Sequence, residues 1–336
     1  MRNPFAFWPK GNSWGYDRWR DGPGRIAEKF ADDLQAVPGA EIYAIASRSG
    51  GHAFASKFDV PVIYDHYQDL AEDPSVDAIY VATPHPFHFE NAQLCLEAGK
   101  PVLIEKPITV TAQQAESLIE LARSKKVFLM EAFWTRFLPV YQTIRTWLDS
   151  GTLERVVTLH ASFCFTGKED EQDRWLNPEL AGGTLLDVGI YPISVFQWIL
   201  QENPIHVQAL AALGKTGVDT TLSVQMQYPG GAMAQFFTSF EIKSRGQMSI
   251  YGTRGAIHIN DDFHGATMAT LVANGKETSI NEGFRAGGFE YQIEEAMDCI
   301  RQGLVESPRM SHADSLANIQ LMDAIRAQIG LKYPFE

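Results

Sequence analysis

The chain is poor in cysteine. Cys95, Cys164 and Cys299 are its only three, an odd number, far apart and without CxxC spacing. That excludes a disulfide framework and a cysteine zinc site, and it suits a reducing compartment. Positive charge is also short: 28 Lys and Arg against 41 Asp and Glu leave a formal net charge of −13, and the cations form no run. Nucleic-acid phosphates need concentrated cations, so nucleic acid is not an expected partner. No apolar run approaches the roughly 20 residues of a membrane span. Residues 4–8 fall short of a signal-peptide core, which is about 7–15 residues. A cytoplasmic protein without membrane contact is the expectation.

What is present is ordinary globular composition, 45% hydrophobic and 21% charged over 336 residues. That length favours two domains over one core. From residue 24 to about 130, helical stripes alternate with short apolar runs. Ile26, Ala27, Phe30 and Leu34 share a helix face, closed by Pro38-Gly39. Apolar runs follow at 42–46, 77–82, 101–104 and 127–130, with helices at 52–58, 66–72, 88–98 and 111–125 between them. Buried strands alternating with helices predict a doubly wound parallel sheet of Rossmann type over residues 1–125.

The pattern changes after about residue 150. Strands are expected at 155–165, 207–213, 220–228, 232–241, 246–251, 255–260 and 267–280. Gly214, Pro229-Gly230-Gly231, Gly252 with Gly255, and Asn274-Gly275 mark the turns. Residues 126–336 thus read as an α+β domain with a large open, mostly antiparallel sheet. Helices close it at 286–302 and 312–329, the last of which could pack back on the first domain.

Gly22, Gly24 and Ala27 have the spacing of a dinucleotide turn, and Arg25 and Ile26 lie where its helix begins. At the end of the 42–46 run stands Ser47-Arg48-Ser49, with no acid. A carboxylate there suits a ribose 2′-hydroxyl, whereas guanidinium and hydroxyl groups suit a 2′-phosphate, which favours NADP over NAD. Thr83 and His88 follow the 77–82 run, where polar groups would face a cofactor. His85 and His88 lack a third ligand, so no metal is expected. Glu105-Lys106-Pro107 ends an apolar strand with an acid and a cation; a surface ion pair is the plainer reading.

Three segments carry a specific resemblance: "ATPHPFHFENAQLCLEAGKPVLIEKPITV", "FLMEAFWTRFLPVYQTIRTWLDSGTLERV" and "GGTLLDVGIYPI". From about Gly22 to Gly330 the chain resembles the glucose–fructose oxidoreductase / inositol dehydrogenase / rhizopine-catabolism (Gfo/Idh/MocA) family. Within it, the chain is most similar to the dimeric dihydrodiol dehydrogenase branch, which also oxidises D-xylose with NADP. The resemblance implies an NADP-dependent oxidoreductase moving a hydride between nicotinamide and an alcohol of a sugar or cyclic diol. It implies that Lys106 lies by the nicotinamide and the reacting oxygen, with Glu105 beside it among the cofactor-binding residues. Tyr191, where the wider family has His, would be the general acid/base, its phenolate favoured by Lys106, with Asp187 sharing its helix face. Trp134, Arg136, Phe163, Arg174 and Trp175 would line the substrate cleft, and a homodimer would form through the open sheet. A non-catalytic NADP-binding sensor or partner-binding protein of the same fold is the alternative.

The glycine turn has one oddity. The family expects apolar residues before it; here stands Asp17-Arg18-Trp19-Arg20-Asp21. A strand buried on both faces cannot take those charges without several kcal/mol each. Three readings stay open: the segment lies outside the sheet, residues 3–8 supply a substitute edge, or the reading frame is displaced upstream of Gly22. In the first and third, the first strand is disrupted.

Overall fold

The computed structural model describes residues 3–8, 25–47, 51–167 and 170–336. The chain divides into two compact units, 1–134 with 285–315, and 135–284 with 316–336. Sequence alone suggests one crossing near residue 125; the chain crosses at 134/135, at 284/285 and at 315/316.

In the first unit, strands and helices alternate. They are β1 (Asn3–Trp8), α1 (Arg25–Leu34), β2 (Ala40–Ala46), α2 (His52–Phe58), β3 (Val62–Tyr64), α3 (Tyr67–Glu72), β4 (Ala78–Val81), α4 (His88–Glu97), β5 (Val102–Glu105), α5 (Ala112–Lys125) and β6 (Leu129–Ala132). The sheet order is β3-β2-β1-β4-β5-β6, every pair parallel. Strand order reverses direction between β1 and β4, the place where such sheets bind ligands. Every residue of β4, β5 and β6 is buried, as a sheet covered on both faces requires.

The first strand is formed by residues 3–8, and it is central rather than an edge. β1 pairs with β2 on one side and β4 on the other, with a register shift between Phe5 and Ala6. Pro4 lacks an N–H, which a central strand tolerates only near its start; pairing with β4 begins one residue later, at Phe5. Two further differences have local causes. β6 starts at Leu129 rather than 127, because Lys126 turns left-handed (φ 56°) and Val127 N–H still closes on Ala122. β3 is three residues long, too short to show a period.

The second unit contains α6 (Pro139–Asp149), β7 (Val156–Cys164), a π-helical turn (Leu185–Gly189) running into α7 (Ile190–Leu200), then β8 (His206–Leu213), β9 (Asp219–Gln227), β10 (Met233–Ser239), β11 (Met248–Gly252), β12 (Gly255–Ile259), β13 (Met268–Ala273) and β14 (Lys276–Asn281). They form an eight-stranded sheet of order β14-β13-β12-β11-β7-β10-β9-β8, antiparallel except for β7 with β10. Asn274 and Gly275 both take positive φ (52° and 70°), the two-residue turn that matches strand twist, so 267–280 is a hairpin. Two helices stand where the sequence reading gives none or a fragment. α6 opens on Pro139, which acts as a first-turn residue and not as a breaker. α7 is apolar on nearly every side, which erases the helical period. The stretch Pro178–Leu200 is long and apolar enough to cross a membrane by composition, but 83% of that window is buried as core.

Helix α8 (Glu290–Arg301) begins four residues later than its sequence pattern. The Glu290 carboxylate accepts N–H bonds from Arg285 (2.9 Å), Ala286 (3.0 Å) and Gly288 (2.6 Å), which holds 285–289 as a loop. Helix α9 (His312–Ile329) starts in the first unit, where His312 Nε2 meets the Leu129 carbonyl at 2.9 Å.

Candidate functional site

On the first unit, the expected cofactor residues gather at the carboxyl ends of parallel strands. Ser47 follows β2 and is buried, its N–H bonded to the Tyr64 carbonyl at 3.2 Å. Thr83 follows β4, also buried, and its hydroxyl accepts from Asn91 Nδ2 at 3.2 Å. Glu105 ends β5, and half-buried Lys106 comes next, joined to Pro107 by a cis peptide. Arg25 opens α1 and Ile26 lies in its first turn. Gly22, Gly24 and Arg48 lie outside the described residues.

Two of these residues make internal bonds. The Glu105 carboxylate accepts from the buried Tyr80 hydroxyl and from the Lys106 N–H (3.2 Å), so internal bonds orient it. Tyr80 stacks on Phe30 at 3.7 Å. His88 is fully buried, with Nδ1 2.7 Å from the Pro107 carbonyl and Nε2 2.8 Å from the Thr83 carbonyl. It straps the loop after β4 to the loop after β5.

Trp134 lies in the first unit. Its half-buried indole meets Phe289 edge-on at 5.2 Å, and the Lys29 ammonium covers both rings, at 5.5 and 4.5 Å. Lys29 pairs with Asp33 (3.0 Å), whose carboxylate also accepts the Phe289 N–H at 2.8 Å.

On the second unit, Asp187 lies in the π-helical turn and Tyr191 in the first turn of α7. The single α-helix expected to carry both is therefore corrected: its entry is widened. Arg174 grips Asp187 with two nitrogens on two oxygens, at 3.1 and 3.4 Å. Tyr191, 8% exposed, sits in a ring cluster: Phe163 lies 5.4 Å from it, and His264 5.4 Å. Phe163 and His264 stack on one another at 4.2 Å. His264 is held through its carbonyl by the Thr135 hydroxyl. No motif marks His264, which is why sequence reasoning misses it.

Arg136 is placed by internal bonds. It is 2% exposed, and its guanidinium binds Ser194 Oγ (3.1 Å), the Ser194 carbonyl (3.0 Å) and Gln197 Oε1 (2.8 Å), anchoring α7. Trp175 packs against Phe165 at 4.8 Å and Phe240 at 6.2 Å, with the Arg174 guanidinium 5.5 Å from its ring. Its indole braces the segment that delivers Arg174.

A parallel sheet of this strand order, with polar groups at its switch point, is a dinucleotide-binding domain. The donor set fits a dinucleotide: hydroxyls at Ser47 and Thr83 and an ammonium at Lys106, all on one edge of that sheet. Comparison with known proteins specifies the class. Residues 22–133 match an oxidoreductase family with an NAD-binding Rossmann fold, and 141–258 match the GFO/IDH/MocA C-terminal domain. Trans-1,2-dihydrobenzene-1,2-diol dehydrogenase from Xenopus tropicalis is 37% identical, over 93% of this chain and 97% of its own length. The Homo sapiens protein of that name is 34% identical, over 93% and 96%. A 3-ketoreductase from Actinomadura kijaniata, solved with NADP, superposes with a TM-score of 0.83 at 26% identity, covering 98% of each chain. The chain belongs to the GFO/IDH/MocA oxidoreductase family.

Proposed function

We propose that this oxidoreductase is an NADP-dependent dehydrogenase of a secondary or anomeric alcohol on a cyclic diol or small sugar. The observation that carries the reading is the Arg174–Asp187 pair one helical turn before Tyr191, whose ring lies among Phe163 and His264. Diol dehydrogenases at 34–37% identity support the substrate class, and the NADP-bound 3-ketoreductase supports the cofactor. When bound, NADP supplies the hydride chemistry. Tyr191 takes the proton of the reacting alcohol in oxidation and returns it in reduction. Lys106 supplies positive charge for the oxyanion that forms as the proton leaves. Asp187, fixed by Arg174, accepts a hydrogen bond from a substrate hydroxyl, and Phe163 offers an apolar face to the ring.

Lys106→Ala and Tyr191→Phe should each lower kcat by about 10²–10⁴-fold. The Kd for NADPH should change less than about threefold, a difference well under 1 kcal/mol. Steady-state kinetics on a dihydrodiol and aldose panel, with fluorescence titration of NADPH, reads both. Full turnover in both variants would falsify the assignment. The free buried thiols Cys95, Cys164 and Cys299 support a cytoplasmic setting. The exposed face of the eight-stranded sheet supports a homodimer.

A further inference from the structure

The segment "GGTLLDVG" contributes more than Asp187. Gly182 and Gly183 precede Thr184, which enters the π-helical turn. A Cβ on Gly183 (φ 113°) would come within 2.2 Å of Asp219 Oδ1, so only glycine lets that carboxyl reach the chain here. A Cβ on Gly182 would stand 2.7 Å from the Trp175 carbonyl. Asp219, at the start of β9, is wholly buried. Its Oδ2 accepts from the Thr184 hydroxyl (2.6 Å) and the Leu185 N–H (2.8 Å). Thr238 donates to the Thr184 hydroxyl at 2.9 Å. From the chain terminus, the Tyr333 hydroxyl donates to the Gly182 carbonyl at 2.7 Å.

We infer that Asp219 is the positioning residue of the Asp187–Tyr191 turn, fixing it through Thr184 and Leu185. The argument rests on the reading of Tyr191 as acid/base. A π-helical turn puts 185–189 on a wider path than an α-helix, and such turns recur at functional sites. Something must pin its entry, where backbone N–H groups lack intrahelical partners. Asp219 does so from a neighbouring strand, and a carboxylate gives stronger bonds than a neutral acceptor. Burial favours its neutral form and pushes the carboxyl up to about 6, while the bonds from Thr184 and Leu185 pull the other way. The group is thus held where it is costly, for the sake of two bonds at the turn that carries Asp187.

The test uses the full chain with Thr184→Val, Thr184→Ser and Asp219→Asn. Thr184→Val should lower kcat about tenfold, with the alcohol KM and the NADPH Kd within about threefold, and Thr184→Ser should restore kcat to within about threefold. A tyrosinate absorbance titration, assigned by subtracting Tyr191→Phe, should show the Tyr191 midpoint moved by at least about half a pH unit in Thr184→Val and Asp219→Asn, an energy of about 0.7 kcal/mol. A purely structural role lowers Tm and leaves both readouts alone. The inference stands if kcat falls with rescue by Ser, or if the Tyr191 titration moves. It fails if folded Thr184→Val keeps both wild-type kcat and wild-type titration. Should Asp219→Asn not fold, Thr184→Val, which keeps the carboxyl, decides alone. Should the wild type turn over no diol or sugar, the functional reading fails and the titration alone decides the role of Asp219.

Discussion

Asp219 also gives the protein an unusual response to pH. Its carboxyl ordinarily titrates at 3.8, and burial raises it to about 6, against the lowering effect of its bonds from Thr184 and Leu185. The folded state therefore binds this proton more tightly than the unfolded state. Stability from that source is complete below 3.8 and is lost as pH rises through about 6, the reverse of an ion-paired carboxylate. The loss amounts to about 3 kcal/mol, the energy of roughly two pH units. Urea denaturation of wild type and Asp219→Asn at about pH 4 and pH 7 isolates it, because other carboxyls cancel in the difference. Asn has no proton to lose, so the wild type should gain about 2 kcal/mol over the variant between about pH 7 and pH 4, most of the full difference. Equal pH slopes would refute the raised value. At this scale the sequence shows residue type and spacing but not burial. Asp187 and Tyr191 are named only through the resemblance of "GGTLLDVGIYPI" to a family segment, because spacing alone reads Tyr191 as a core residue. Arg136 and His88 carry equally suggestive side chains, yet burial gives their donors to Ser194, Gln197 and backbone carbonyls.

Among the elements, β1 departs most from expectation. A parallel strand in mid-sheet is paired on both sides, and here residues 3–8 take that position with the glycines far downstream. The pattern test fails there for a physical reason: it looks for the strand immediately before the turn, and charged residues 17–21 stand in that place. α7 hides for the opposite reason, too much hydrophobicity to show a period. α5 is legible from end to end because Thr111 caps it, accepting from the Gln114 N–H, and its buried residues fall on one stripe. Ala6→Pro puts the strand to the test. Ala6 faces Ala44 in β2 and Ile79 in β4, so a ring without an N–H would break the ladder at the sheet's centre. The cost is about 3 kcal/mol or more. The variant should lose NADPH binding and a large part of its thermal stability, read by fluorescence titration and calorimetry. Unchanged binding and Tm would mean that residues 3–8 do not form the first strand.

For the whole molecule, the eight-stranded sheet poses the question of what covers its outer face. Its inner side chains, such as Leu222, Val224 and Met226 on β9, are buried, while the alternate ones are not. The outer set is conspicuous for lacking charge over its middle strands. Leu210 is 80% exposed and Met233 48%. Gln235 bonds His160 at 3.3 Å, and Ser249 bonds His258 at 3.0 Å. The Tyr251 ring lies between those two histidines, 5.7 and 5.5 Å away. In a chain of net charge −13, an uncharged face rich in Met, Leu, Tyr, Gln and His is where a second copy can approach without repulsion. Two-fold pairing would set the same patch against itself, so any added charge is met by its copy. Met233→Lys with Gln235→Lys places four cations in one such interface and none in the core, since both positions point outward on β10. Light scattering behind gel filtration should show the mass of two chains for the wild type and of one for the double variant. NADPH affinity should stay within about twofold, under 0.5 kcal/mol. A wild-type monomer, or a variant that keeps the mass of two chains, would remove this face as the subunit contact.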